Sequence, residues 1–209
     1  MPDIVQLHER LHGLCRVSYN KTQETTGLTW RRLEQDGTMK KYSRHVFLAL
    51  VFLATAVFAA GVPAVQRFLP AKDEIKGWSI LPDSLQYGKG DDISRIYDGG
   101  YELYTKNGVI DAARQTYKHG DDYLEVTIHT MKSEKAATAF LEYWKKELKG
   151  TAKSKSIRGP NFLVTKPNVS RYFVTGKYFT TVIAFHSANK ALGDTEQFMK
   201  LIDRKIRKS

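Results

Sequence analysis

The residues with the most evident chemical potential are acidic and close together: Asp91, Asp92, Asp98 and Glu102. On a helix, positions 98 and 102 are one turn apart, so the two carboxylates could share a proton in acid–base chemistry or hold a cation. Arg95 and Lys106 fall on the same side, a pattern that also describes a solvated helix face. His119, His129 and His186 are far apart, and none has another ligand at the spacing a metal site uses, so no metal is expected. The sequence has no Gly-rich phosphate loop, no His-Glu-x-x-His and no Gly-x-Ser-x-Gly elbow. No catalytic residue and no cofactor are therefore assigned.

Two other residue classes could bind rather than react. Lys145, Lys146, Lys149, Lys153, Lys155 and Arg158 form a basic run, suited to anionic headgroups or an acidic polymer and equally to a solvated helix end and loop. Tyr87, Tyr97, Tyr101, Tyr104, Tyr117 and Tyr123 could line a ligand groove, or sit half-buried where helix meets sheet. Lysine and arginine number 33 against 22 acids, a formal charge of +11. Charge of that size fits nucleic acid, an anionic membrane surface or mere solubility.

The elements that must position these residues follow from periodicity. Ile93, Ile96, Tyr97, Gly100, Leu103 and Tyr104 recur at helical spacing after Asp91 or Asp92 as N-cap, with Asn107 and Gly108 as the stop. Gly99 and Gly100 lie inside that helix, where each costs about 1 kcal/mol against alanine. Gly100, within the apolar face, is expected to allow close approach to a sheet. Gly99, at its margin, would admit a neighbouring loop such as the one carrying Trp78, or a ligand.

Strands are expected near 109–117 and 123–131, joined by "KHGDD". A helix capped by Ser133 runs to Lys149, with Ala137, Phe140, Leu141, Trp144 and Leu148 as its apolar stripe. Strands near 161–165, 171–175 and 178–186 follow, then a helix over 194–207. Paired strands each followed by a helix predict an α+β fold: an antiparallel sheet of about five strands with helices packed on one face, preceded by one N-terminal hydrophobic helix.

That hydrophobic segment lies between Arg44 and Arg67, free of acidic, lysine or arginine residues and apolar from Val46 to Val65. It is close to the ~20 residues needed to cross a bilayer. Lys40, Lys41 and Arg44 precede it, which places the chain beyond the segment outside the cytoplasm and argues against nucleic acid as partner. Residues 39–66 are thus a single transmembrane anchor or a signal peptide, with Ala59-Ala60-Gly61 or Val62-Pro63-Ala64 as cleavage patterns. Met39 opens an export-signal order of its own, so residues 1–38 are expected to be an over-extended reading frame. Residues 67–90 read as a tether and lead-in loop, and 91–209 as the extracytoplasmic α+β domain. The single cysteine, Cys15, lies before all of this, leaving no disulfide to stabilise the domain.

The segments "FLPAKDEIKGW", "ISRIYDGGYELYTKNGV" and "YLEVTIHTMKSEKAATAF" resemble, in that order, a family of bacterial exported proteins, the domain of unknown function 6599. The matching positions are Leu69, Pro70, Gly77 and Trp78; Tyr97, Asp98, Gly99, Gly100, Glu102, Leu103, Tyr104 and Gly108; and Met131, Ser133, Ala139 and Phe140. Three positions depart from its pattern: Tyr97 directly precedes Asp98, and Tyr101 and Val109 stand where the family often has Ala and Phe. The resemblance implies export, an α+β domain and no assigned catalytic residue.

The resulting expectation is a non-catalytic binding or accessory domain of the cell envelope. It would be held by its N-terminal segment in the membrane, or be periplasmic or secreted if cut. Its partner would be another envelope protein or an anionic polymer. The alternatives are an envelope hydrolase or transferase using Asp98 and Glu102, and a docking subunit of a membrane complex.

Overall fold

The computed structural model describes residues 61–97, 99–151 and 153–209. Residues 1–38, the apolar run as far as position 60, and Asp98 lie outside the described residues. Among the described residues, no helix is long and apolar enough to cross a membrane.

In chain order the elements are α1 (Ala64–Arg67), β1 (Ser79–Ile80), β2 (Gln86–Lys89), a 3-10 helix (Gly90–Arg95), α2 (Tyr101–Lys106), β3 (Val109–His119), β4 (Asp122–Met131), α3 (Glu134–Glu147), β5 (Asn161–Val164), β6 (Val169–Thr175), β7 (Tyr178–Ala184) and α4 (Ala188–Arg207). The seven strands form one antiparallel sheet in the order β1-β3-β4-β7-β6-β5, with β2 also paired to β3. The expected α+β class and antiparallel sheet are present. The strand count exceeds five because β1 and β2, too short to show a period, share the outer edge of β3.

Helices cover both faces of the sheet, not one. On β4, Leu124, Val126 and Ile128 join a core with α4 residues Ala191, Phe198, Met199, Leu201 and Ile202. Met131 instead joins Ala137, Phe140, Leu141 and Trp144 of α3 in a second core. β6 divides likewise: Val169 and Phe173 belong to the first core, Tyr172 and Val174 to the second. All seven residues of β6 are buried, as a strand covered on both sides requires. Its segment "VSRYFVT" is apolar on both parities, the trace of two covered faces.

The helix expected over 91–106 does not form as one piece. The 3-10 helix ends at Arg95, and the backbone passes through Gly99 at φ +85° and Gly100 at φ +72° before α2 begins. Two consecutive left-handed residues end a right-handed helix, and only glycine adopts them without a steric cost. The helix after β4 agrees with its expected boundaries: the Ser133 hydroxyl accepts a hydrogen bond from the Ala136 amide at 3.1 Å, satisfying one of the free donors of the first turn.

The stretch expected as a tether packs along the domain. Val65, Phe68, Leu69, Ile75 and Trp78 are all in the first core, beside α4. Lys205 of α4 donates to the Leu69 carbonyl at 2.8 Å and to Glu74 at 2.6 Å. Among the described residues the fold therefore begins at Pro63, whose carbonyl accepts from the Gln66 amide at 2.9 Å. Of the two cleavage patterns, cutting after Ala64 would remove that acceptor and leave a charged terminus on fully buried Val65. Cutting after Gly61 would leave the exposed Val62.

Candidate functional site

Tyr97 and Tyr104, seven positions apart, converge on a third residue that sequence alone does not connect with them. Their rings stack at 3.8 Å between centroids, and the His129 ring lies parallel to both at 5.9 and 5.6 Å. The His129 Nδ1–H donates to the Phe179 carbonyl at 3.0 Å, leaving Nε2 to accept from the Tyr97 hydroxyl. Burial holds the imidazole neutral, its pKa pushed down to about 4. The same burial raises both phenols above their ordinary value.

Arg114 lies 5.2 Å from the Tyr97 centroid and reaches Glu125 at 3.4 Å. Burial raises the Glu125 carboxyl, and the Arg114 charge opposes that rise. All these groups are partnered internally, so this cluster locks α2 to the sheet.

The remaining motif positions divide between structure and surface. Trp78 is buried, with ring contacts to Phe198, His119 and His186 at 5.4, 5.6 and 5.9 Å. Gly77, at φ +84°, lets His119 approach: a Cβ there would lie 3.1 Å from the imidazole. Around Gly99 there is open space, so its role, like that of Gly100, is backbone conformation. Glu102 is exposed in the first turn of α2, a six-residue helix, and its expected partner Asp98 lies outside the described residues. His129 is far from the Trp78 corner where the other two histidines meet, and no group of three metal-ligating side chains occurs among the described residues.

Two residues of the basic run line a recess. Glu142, Lys145, Gly150, Thr151, Lys153, Pro160 and Asn161 enclose a cleft of about 380 Å³ at the β5 edge of the sheet. The chain can turn into it because Gly150 lies against Phe162, where a Cβ would come within 2.2 Å of the ring. Lys145, Lys146, Lys149, Lys153, Lys155 and Arg158 are all exposed. Only Lys145 and Lys153 line the cleft, and Glu142 faces Lys145 at 3.9 Å.

Polar groups without a motif of their own hold this loop in place. Buried Asn161 accepts from the Ser154 amide at 2.7 Å and donates to the Ser154 and Gly159 carbonyls at 3.2 and 3.0 Å. Ser154 and Ser156 donate to Glu196 of α4 at 3.1 and 2.5 Å. Glu196 pairs in turn with Arg171 of β6 at 2.6 Å. Burial works against the Glu196 carboxylate, but the Ser156 bond, the Arg171 charge and the Ser154 bond prevail and lower its pKa. The one signal in the sequence is Arg171, a cation inside an apolar strand, which must find a buried acid.

No family model and no curated protein matches this chain. Among solved structures, it is similar to the extracellular domain of PknH from Mycobacterium tuberculosis, with a TM-score of 0.44 at 12% identity, covering 69% of this chain and 95% of that one.

Proposed function

We propose that this protein is a non-catalytic, extracytoplasmic binding domain of the cell envelope, anchored by its apolar segment, that grips an anionic polymer through the cleft at the end of α3. The observation that carries this reading is the cleft itself: two lysines in a recess whose walls are fixed by Asn161 and by the Ser154–Ser156–Glu196–Arg171 chain. A loop already held by such bonds loses little entropy when it binds. The volume suits one phosphodiester or uronate unit, and Lys149, Lys155 and Arg158 extend positive charge beyond it for neighbouring units. Export rests on the basic-then-apolar N-terminal segment, and the resemblance to a family of exported proteins belongs to the same proposal.

The test is titration of the full chain, in mild detergent, with inorganic polyphosphate and with neutral dextran. Binding should be specific to polyphosphate and weaken with salt, as counterion-linked association does. Lys145→Glu with Lys153→Glu should weaken it about tenfold or more, whereas Lys135→Glu at the far end of α3 should have little effect. Equal loss from either change would reduce the cleft to diffuse charge and end the proposal.

A further inference from the structure

Three observations converge on the end of the sheet where the chain first joins the fold. The first concerns reach. The apolar run extends to Val65, yet Val65 already lies in the first core, so only Val62, Pro63 and Ala64 separate position 61 from packed structure. Three extended residues span about 10 Å, comparable to the ~7 Å headgroup layer on one side of a bilayer. An anchored domain therefore has no slack with which to stand away from the lipid.

The second observation identifies the face. Phe68 packs on Tyr178 at 4.9 Å, next to the Gly176-Lys177 turn, and the Lys177 carbonyl accepts from the Met131 amide at the end of β4. The last turn of α4 arrives at the same end, where Thr175 donates to Asp203 at 2.6 Å. The third observation is charge. Arg67, Lys132, Lys177, Arg204 and Lys208 are exposed there. Two of the acids beside them are already paired, Glu74 with Lys205 and Asp203 with Arg207 at 2.9 Å, while Glu134 and Asp73 are exposed, so the cations outnumber the free acids.

We infer that this end of the sheet is a membrane-apposed surface, on which Arg67, Lys132, Lys177, Arg204 and Lys208 meet the phosphates of anionic lipid headgroups. The inference rests on the anchored reading of the proposed function. Cations near an anionic surface are drawn to it and their attractions add, so the five together orient the domain rather than merely attract it.

The experiment uses the full chain with Cys15→Ser, carrying a fluorophore at Lys177→Cys or, as control, at Asp121→Cys in the turn at the other end of the β3–β4 hairpin. Ten residues of strand separate the two positions by about 33 Å. The protein is reconstituted into phosphatidylcholine vesicles, with or without phosphatidylglycerol, containing a headgroup-nitroxide lipid. Quenching at 177 should exceed that at 121 about fivefold or more in the anionic vesicles. Adding Arg204→Glu and Lys208→Glu should roughly halve it, with an unchanged far-ultraviolet dichroism spectrum. Equal or reversed quenching, in protein that survives an alkaline carbonate wash, overturns the apposed face and leaves the anchor standing. Protein stripped from the vesicles by that wash overturns the anchor, and the apposed face with it.

Discussion

Acid should destabilise this protein, and between pH 7 and pH 5 the largest part of the loss should come from His129. Its imidazole is fully buried, hydrogen-bonded at both nitrogens, and neutral down to about pH 4; in the unfolded chain it titrates near 6.5. The folded state thus binds this proton less tightly than the unfolded state does. The contribution to stability is complete above pH 6.5 and drains as pH falls toward 4. The gap between the two values corresponds to about 3 kcal/mol, of which about 2 kcal/mol is lost between pH 7 and pH 5. Glu125 acts in the opposite sense: its raised pKa favours the folded state in acid and the benefit fades as pH rises. The assay is denaturant unfolding of the full chain in mild detergent at both pH values, for the parent and for His129→Gln. Glu125 and the other titrating groups are common to both chains, so the difference between their pH dependences isolates His129. The variant should be less stable at pH 7 and lose about 2 kcal/mol less on acidification. An equal loss in the two chains would refute the buried neutral imidazole.

Other perturbations test the remaining joints of the structure. Tyr97→Phe strands the His129 Nε2 without its donor and should cost about 1–3 kcal/mol in the same unfolding assay. Gly99→Ala and Gly99→Leu should each cost about 1–2 kcal/mol and differ little, because the penalty comes from φ and the space around position 99 is open; a much larger cost for leucine would restore a packing role. Ser133→Ala should lower stability by about 1 kcal/mol through loss of the α3 cap. Glu196→Gln, which removes the acid from largely buried Arg171 and weakens the tie to Ser156, should cost about 3 kcal/mol. It should also weaken polyphosphate binding in calorimetry with Lys145 and Lys153 both left in place.

What could be read from the sequence depended on how local its cause was. The Ser133-capped helix and the β3–β4 and β6–β7 hairpins are set by neighbouring residues, a cap, a stripe or a turn, and their positions followed from spacing. Gly99 and Gly100 were the failure in the other direction: the surrounding apolar residues do keep helical spacing, and a period cannot reveal that φ changes sign between two helices. The start of α4 at Ala188 was hidden by Gly193 and Asp194, which resemble a boundary but lie within the helix. Helices on two faces follow from β6 being buried on both parities, a signal obscured by its embedded Ser170 and Arg171. The site was least legible of all. Tyr97 meets His129 across 32 positions, and Ser156 meets Glu196 across 40; partners at that range are chosen by topology, which periodicity does not encode.

The contact between Lys205 and the Leu69 carbonyl spans 136 positions, and it governs the timing of assembly as well as its strength. The first core is shared by the segment from Val65 to Trp78 and by α4, so neither half of that layer can be buried until both have left the ribosome. The two hairpins can form as they emerge, since their partners are adjacent in the chain. Closure of the layer waits for the final helix. Folding of that layer is therefore gated by completion of the chain, and a chain cut before Ala188 should lack the first core and be protease-sensitive.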